Sequence, residues 1–297
     1  DIIESAAREK AEELQANAYT DYNEMLEKED LDCLFVCVPP FAHGDIEEKA
    51  AAKGIHLFVE KPVGLDMDVV RKKAKAIREA GIISASGYCL RFLDILDKVK
   101  DYLADKEIAL IRAHRFGGLV SVPWWKDMSK SGGDLVERTT HSLDMMRWLA
   151  GDVRKVYSNA ALRLMKDVPG VTIPEVGTVS MVFESGALGQ LDYGMVMPGG
   201  TSLEVQGLNF RVTMKGWDQI IIDERDPETG QVATTTYTNK TDYMKRQDDA
   251  FIQAIITGDR SLIRSTYDNG AATLEATLAA NQSAETGEPV TLGAVSV

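Results

Sequence analysis

The chain has 297 residues, of which 44% are hydrophobic and 27% are charged, and its formal net charge at pH 7 is −13. This composition is typical of a folded globular protein with one large or two medium domains, and it excludes a disordered or disulfide-dense chain. The acidic excess disfavours binding to nucleic-acid phosphates, and no run of about 18 apolar residues predicts a membrane span. We therefore expect neither a nucleic acid nor a membrane among its partners.

The first 90 or so residues alternate helix-like and strand-like segments. Apolar runs that end at Pro39-Pro40 and at Pro62 predict buried strands, and Asp66 and Gly81 are a typical N-cap and C-cap of a helix. The predicted helices span residues 4–15, 22–26, 45–52 and 66–81, and the predicted strands span residues 33–38, 56–60 and 82–86. Repeated units of this kind indicate a parallel sheet covered by helices, with ligands at the carboxyl ends of its strands. That edge holds six residues of interest: Pro39, Pro40, His43, Glu60, Lys61 and Tyr88.

The pattern changes after residue 90. Residues 153–238 carry several alternating strands separated by tight turns, which indicates a largely antiparallel sheet. The other predicted elements of this part are helices at 92–103, 134–149, 242–256 and 268–285, and a strand at 107–116. The sequence thus predicts an α/β domain over residues 1–91, followed by an α+β domain with a large, mostly antiparallel open sheet over residues 92–297.

The predicted helix at 134–149 carries the most informative polar residues. Glu137, His141 and Asp144 are spaced i, i+4 and i+7, so that one helical face presents all three. An imidazole flanked by carboxylates suits a general acid or base. The alternative is a capping role for Asp134 with Glu137 and a surface ion pair for Asp144.

Three further features are candidates for binding or catalysis. Lys61 ends a buried strand at the ligand edge, where it can donate to a substrate hydroxyl, although a solvated turn lysine is an equal alternative. His43 would start a helix, whose N-terminus favours an anionic ligand. Trp124-Trp125 can wall a sugar pocket or simply pack at a domain junction. The three cysteines have no metal or disulfide spacing, so we expect no metal and a reducing, cytoplasmic location.

Several of these motifs occur together in one known family. Glu60-Lys61-Pro62, the segment 87–92 (Gly-Tyr-Cys-Leu-Arg-Phe), and Gly132-Gly133 followed by Glu137, His141 and Asp144 resemble the Gfo/Idh/MocA family of NAD(P)-dependent oxidoreductases. Glucose-fructose oxidoreductase and inositol dehydrogenase belong to that family. The resemblance covers essentially the whole chain.

The resemblance implies a Rossmann domain followed by a substrate-binding and oligomerisation domain, and hence a homo-oligomer, either a dimer or a tetramer. The implied reaction transfers a hydride between a nicotinamide cofactor and a hydroxyl of a sugar, sugar acid or cyclitol. Lys61 would hydrogen-bond the reacting hydroxyl, His141 would take its proton, and Glu137 would support the pair. An acidic Asp1 at the end of the second Rossmann strand would favour NAD over NADP.

The resemblance also assigns binding residues. Those implied for the cofactor are Asp1, Pro39, Pro40, His43, Glu60, Lys61, Pro62 and Arg91, and those implied for the substrate pocket are Tyr88, Trp124, Trp125 and Asp144.

The sequence departs from the family pattern at three points. Glu137 stands where many members have Asp, and Cys89 stands where Asn is common. No G-x-G-x-x-G turn is present, so we expect the first βαβ unit with its glycine loop to lie outside this sequence, which begins at Asp1 without a methionine. Two other functions stay open: an NAD-dependent glycosidase on the same fold, which regenerates its cofactor, and a non-catalytic dinucleotide-binding subunit.

Overall fold

The computed structural model describes residues 1–293. Its ten helices within that range are Glu4–Leu14 (α1), Tyr22–Lys28 (α2), Ile46–Ala52 (α3), Met67–Ala80 (α4), Asp94–Leu103 (α5), Met128–Ser131 (α6), Asp134–Glu137 (α7), Thr140–Ala150 (α8), Tyr243–Thr257 (α9) and Tyr267–Thr286 (α10). Its strands are Cys33–Val36 (β1), His56–Val59 (β2), Ser84–Ser86 (β3), Leu110–Phe116 (β4), Val153–Ala161 (β5), Val176–Phe183 (β6), Leu188–Gly194 (β7), Gly200–Gly207 (β8), Phe210–Lys215 (β9), Gln219–Arg225 (β10), Val232–Thr238 (β11) and Val290–Thr291 (β12).

The first sheet has the order β1-β2-β3, and all its described pairs are parallel. Leu57, Phe58 and Val59 of β2 are almost completely buried, as expected for a central strand covered on both faces. β1 ends at Val36, two residues earlier than predicted, because the chain turns towards Pro39 and leaves Cys37 exposed.

The helix between β2 and β3 begins and ends where its capping residues predict. The Asp66 carboxylate accepts hydrogen bonds from the backbone N–H groups of Asp68 and Val69, which have no partner inside the helix. Gly81 ends the helix in the left-handed region, with φ +64°, which favours glycine.

The second sheet has nine strands in the order β11-β10-β9-β8-β4-β7-β6-β5-β12. The pair β4–β7 is parallel and the other described pairs are antiparallel, which confirms the predicted fold class. Side chains alternate along β4: Ile111 and Ala113 are buried on the face that α8 covers, whereas Arg112 is exposed on the other face. One face of the sheet therefore packs on helices.

The C-terminal helices pack on both sheets. Phe251 of α9 contacts Phe58 of β2 edge-to-face, at a centroid distance of 5.7 Å. In α10, Leu274 lies in the core of the first sheet, and Ala279 lies in the core of the second. The division at residue 91 stays a prediction, but the two sheets share α10 as a cover.

The prediction of one continuous helix over 134–149 is wrong. The helix is interrupted between Glu137 and Thr140, where the Thr139 N–H donates to the Asp134 carbonyl five residues back. The Thr139 hydroxyl also donates to the Asp134 carboxylate, at 2.9 Å, and these two bonds hold the break. Glu137 therefore ends one short helix, and His141 lies in the first turn of the next.

No helix among residues 1–293 is both long and apolar enough to cross a membrane.

Candidate active site

Lys61 lies just after the carboxyl end of β2 and contacts the last residue of α7. Its ammonium donates to the backbone carbonyl of Glu137 at 2.8 Å and lies 3.2 Å from the Glu137 carboxylate. Both side chains are largely buried, with 16% and 9% of their surfaces exposed. Residues 76 apart in sequence thus form one ion pair, and the solvated-turn alternative for Lys61 does not hold.

The Glu137 carboxylate is only half engaged. One oxygen faces Lys61, whereas the other, Oε2, is buried and has no hydrogen-bond partner among residues 1–293. Burial raises the pKa of Glu137, and the Lys61 ammonium opposes that rise. A buried acceptor without a partner is costly, so this oxygen is suited to accept a hydroxyl of a bound molecule.

His141 adds a second unpaired group. Its ring is half-buried, and Nδ1, on the buried side, has no partner in the described chain. Tyr88 packs against the ring edge-to-face at 5.9 Å, and the Tyr88 hydroxyl bonds with the Thr140 hydroxyl at 2.9 Å. Burial, followed by the charges of Lys61 and Arg115, lowers the pKa of His141 well below its ordinary value. The imidazole is therefore neutral at neutral pH.

The carboxyl edge of the first sheet carries exposed apolar surface. Pro39 and Pro40 open a short 3-10 turn there, and the apolar side chains of Val38 and Phe41 are 37% and 48% exposed. Parallel strand ends bordered by exposed apolar surface are the usual place for a dinucleotide ligand.

Glu60 lies at the same edge beside Lys61. One carboxylate oxygen accepts the Lys61 N–H at 3.1 Å. Burial raises the pKa of Glu60, and the Lys61 charge opposes the rise. A Cβ atom on Gly87 would lie 2.5 Å from this carboxylate, so glycine is required at position 87 for Glu60 to occupy its place. Pro62, the residue that follows Lys61, is buried and restricts the backbone where the chain leaves this edge.

An aromatic wall lies between the first sheet and the loop before α6. Trp124 and Trp125 stack at a centroid distance of 6.2 Å, and Phe41 meets Trp124 edge-to-face at 5.8 Å. The Trp125 Nε1 donor is buried without a partner in the part of the chain that the structure describes. Phe41 was not predicted, and its position directly after Pro40 was the available signal.

Arg91 and Asp144 do not reach this site. The Arg91 guanidinium binds the Asp144 carboxylate through two hydrogen bonds of 2.7 and 2.8 Å, and both side chains are only 2% exposed. Thr273 of α10 donates to the same carboxylate at 2.8 Å. This buried bridge replaces the expected contact of Arg91 with the cofactor. It also replaces both roles expected for Asp144, a position in the substrate pocket or a surface ion pair.

His43 and Asp1 lie elsewhere. The His43 Nδ1 is 2.6 Å from the Glu47 carboxylate, whose other oxygen accepts from Lys73 at 2.7 Å, and all three side chains are buried. His43 therefore belongs to a buried ion cluster between α3 and α4. Asp1 is exposed before α1, where its carboxylate accepts the Ile3 N–H at 2.8 Å, and its cofactor role stays a prediction.

Comparison with known proteins bears on this arrangement. A family sequence model described as "Oxidoreductase family, NAD-binding Rossmann fold" matches residues 1–88, and one described as "GFO/IDH/MocA C-terminal domain" matches residues 100–213. The chain belongs to the Gfo/Idh/MocA oxidoreductase family. NAD is accordingly the cofactor of its first domain.

Relatives of this family match over most of their length. The uncharacterized oxidoreductase YrbE of Bacillus subtilis (strain 168) is 25% identical over 305 aligned positions, covering 98% of this chain and 87% of the relative. The myo-inositol 2-dehydrogenase of Thermotoga maritima is 24% identical over 265 positions, covering 86% of this chain and 77% of the relative. A levoglucosan dehydrogenase solved in complex with NADH shares the fold, with a TM-score of 0.87 at 16% identity, over 99% of this chain and 88% of that structure.

Proposed function

We propose that this Gfo/Idh/MocA protein is an NAD-dependent dehydrogenase that oxidises a CH–OH group of a sugar, sugar acid or cyclitol. The observation that carries the proposal is the ion pair between Lys61 and Glu137, close to His141 at the carboxyl edge of the first sheet. A neutral imidazole close to an ammonium group can remove the proton of a bound hydroxyl.

The chain's own groups handle the proton. Bound NAD supplies the hydride acceptor. The Lys61 ammonium donates a hydrogen bond to the substrate hydroxyl oxygen and lowers its proton affinity, while the neutral His141 accepts the proton. NADPH-linked chemistry is the less favoured form, because the resemblance places the acidic Asp1 near the adenosine ribose.

Glu137 positions both partners. Its carboxylate and its backbone carbonyl hold the Lys61 ammonium in place. Its second oxygen is free to accept a neighbouring hydroxyl, which favours a substrate with several hydroxyl groups. The stacked Trp124 and Trp125 supply a flat apolar wall of the kind that packs on a sugar ring.

We also propose a homo-oligomer, dimer or tetramer, formed through the uncovered face of the nine-stranded sheet. Tyr157 and Leu188, 41% and 55% exposed, are apolar positions on its strands. The three cysteines are unpaired, which supports a reducing, cytoplasmic location.

The proposal is tested by following NADH formation with a panel of sugars, sugar acids and inositols. We expect net NADH production with at least one compound. The His141→Gln variant should lose about 10²- to 10⁴-fold in turnover while it still binds NADH, because a positioned base contributes about that much. His114→Gln, which changes a histidine on the other face of β4, is the matched control and should keep full activity.

Three results would contradict the proposal. Full turnover by the His141→Gln variant would remove the histidine from the chemistry. Hydrolysis of a chromogenic glycoside without net NADH production would favour the glycosidase function instead. Binding of NADH with no turnover of any compound would favour a non-catalytic subunit.

A further inference from the structure

Arg115 is an arginine that the proposed mechanism does not use. It is the sixth residue of β4 and pairs in register with Tyr193 of β7. The alternation of the strand places it on the same face as Ile111 and Ala113, the face covered by α8. Its side chain is therefore half-buried at the carboxyl end of β4 and not on the open face of the sheet.

The Arg115 guanidinium has no carboxylate partner. No acidic group among residues 1–293 forms an ion pair with it within 4.0 Å, and its hydrogen bond is a long one, 3.4 Å, to the carbonyl of the adjacent Phe116. Arg112, on the same strand but exposed, pairs with Glu204 at 2.8 Å. The more buried arginine is thus the one without a partner, the reverse of what burial of a charge requires.

The nearest carboxylate is already engaged. Asp134 lies 2.7 Å from the Arg138 guanidinium and accepts the Thr139 hydroxyl at 2.9 Å. Arg138 itself reaches the end of β4, where it donates to the Gly118 carbonyl at 3.1 Å. Asp134 is therefore occupied by Arg138 and Thr139 and forms no ion pair with Arg115. Burial first, and then the Arg138 charge, lowers the pKa of Arg115, and the Asp134 charge opposes this decrease only in part.

The unpaired guanidinium faces the helix that carries the proposed base. Arg115 is on the face of β4 that α8 covers, and His141 lies in the first turn of α8. The charge of Lys61 is already balanced by the Glu137 carboxylate, so Lys61 does not provide a second unpaired cation. Of the three cations Lys61, Arg138 and Arg115, only Arg115 has no carboxylate within 4.0 Å among residues 1–293.

We propose that Arg115 binds an anionic substituent of the substrate, a carboxylate or a phosphate, and so selects acidic sugars or cyclitols over neutral ones. The inference rests on the proposed function and narrows its substrate class. A guanidinium presents two parallel N–H donors that match both anions, and partial burial strengthens the interaction. The net charge of −13 repels anions at long range, but charges beyond about 8 Å are screened at physiological salt, so the local field decides.

The test compares matched substrates and matched variants. Glucose, glucuronate and glucose 6-phosphate, and the corresponding galactose series, are assayed for kcat and KM with wild type, Arg115→Gln and Arg112→Gln. We expect an acidic member to be the better substrate. Arg115→Gln should lower kcat/KM for it by about 10- to 100-fold, mainly through KM, and leave the neutral sugar unchanged. Arg112→Gln, on the outer face of the same strand, should leave both unchanged.

The carboxylate and phosphate arms identify which anion is bound. Arg115→Lys keeps the positive charge but lacks the parallel N–H donors of a guanidinium, so it should retain part of the preference for the acidic sugar. This variant also provides the test if Arg115→Gln fails to fold. Equal use of neutral and acidic sugars by wild type, or an equal loss for both in Arg115→Gln, would overturn the inference while the dehydrogenase proposal stands. If no compound is oxidised, calorimetric titration of the NADH-bound protein with glucuronate and glucose 6-phosphate still decides the inference: binding lost in Arg115→Gln supports it, and no binding overturns it.

Discussion

Burial and the charges of Lys61 and Arg115 keep His141 neutral, and this protonation state affects how the stability of the fold depends on pH. An imidazole with a lowered pKa cannot take up a proton in the folded protein as readily as it does in the unfolded chain. The same surroundings that keep the group unprotonated therefore make the fold sensitive to acid at this residue.

The pH dependence of stability measures this effect. Between the folded pKa of His141 and its ordinary value of 6.5, the unfolded chain binds more protons, so stability is lost as the pH falls below 6.5 and is fully present above it. We expect wild type to lose stability relative to His141→Gln between pH 6.5 and 5, and the difference to be constant from pH 7 to 8. Urea unfolding at each pH gives the two free energies.

The carboxylates beside His141 do not disturb this comparison. Glu60 and Glu137 have raised pKa values, so their contribution has the opposite sign and decreases as the pH rises above about 4.5. They are present in both proteins and cancel in the difference. A difference that is the same at pH 5 and pH 8 would show that His141 titrates normally.

At the scale of single residues, chemical type was predictable and pairing was not. Lys61 and Glu137 could be named from their motifs, yet the hydrogen bond between them joins residues 76 apart. Arg91 was assigned to the cofactor because Asp144, 53 residues later, gave no local sign of being its partner. Arg115 was missed because an alternating strand pattern does not show which arginine lacks a carboxylate.

At the level of helices and strands, nearby residues predicted where a helix ends better than they predicted whether a helix is continuous. The caps of α4 were read from Asp66 and Gly81 because capping depends on residues within one turn. The break between α7 and α8 was missed because Thr139, an acceptable residue inside a helix, turns its hydroxyl to Asp134 instead. The strands of the second sheet were recognised from alternation, since one face of each is covered.

The close contact between α10 and β3 predicts how a methyl group added at Gly270 would affect stability. A Cβ on Gly270 would lie 2.7 Å from the Ser86 hydroxyl and 2.8 Å from its Cβ. Alanine in a helix gains about 0.5–1 kcal/mol over glycine, but overpacking costs about 1–3 kcal/mol, so the clash prevails. We expect Gly270→Ala to lower the free energy of unfolding in urea.

Gly118→Ala is the matched control for this substitution. A Cβ on Gly118 would have no atom within 4 Å, and its φ is not in the left-handed region. Its stability should be unchanged or slightly raised. A Gly270→Ala variant as stable as the Gly118→Ala variant would mean that α10 and β3 can separate at little cost.

For the molecule as a whole, the Arg91–Asp144 bridge connects parts that are distant in sequence. Arg91 follows β3, Asp144 belongs to α8, and Thr273 of α10 donates to the same carboxylate. The Arg91 guanidinium also donates to the backbone carbonyl of Arg264. In return, the Arg264 guanidinium donates to the backbone carbonyl of Arg91. One buried ion pair thus ties the exit of the first sheet to the helices that cover the second.

Removal of one partner of this bridge should be strongly destabilising. Asp144→Leu leaves a buried guanidinium without its carboxylate, and we expect a loss of about 3–5 kcal/mol. The double variant Arg91→Met, Asp144→Leu should be closer to wild type than Asp144→Leu alone. Thermal and urea unfolding of the set measure both effects.

An ion pair whose arginine is half-exposed provides the control. Asp223→Asn removes a carboxylate that faces the half-exposed Arg211 and should cost less than about 1 kcal/mol. If Asp144→Leu costs no more than Asp223→Asn, the buried bridge does not hold the two sheets together.

The position of α9 and α10 at the end of the chain also affects the order in which the protein can fold. Phe58 lies in the first sheet, and the aromatic ring that covers it, Phe251, is synthesised roughly 190 residues later. At about 5–20 residues per second, the ribosome needs about 10–40 s to make that interval. During this time the face of the sheet that α9 will cover stays open, and completion of the fold waits for the last helices.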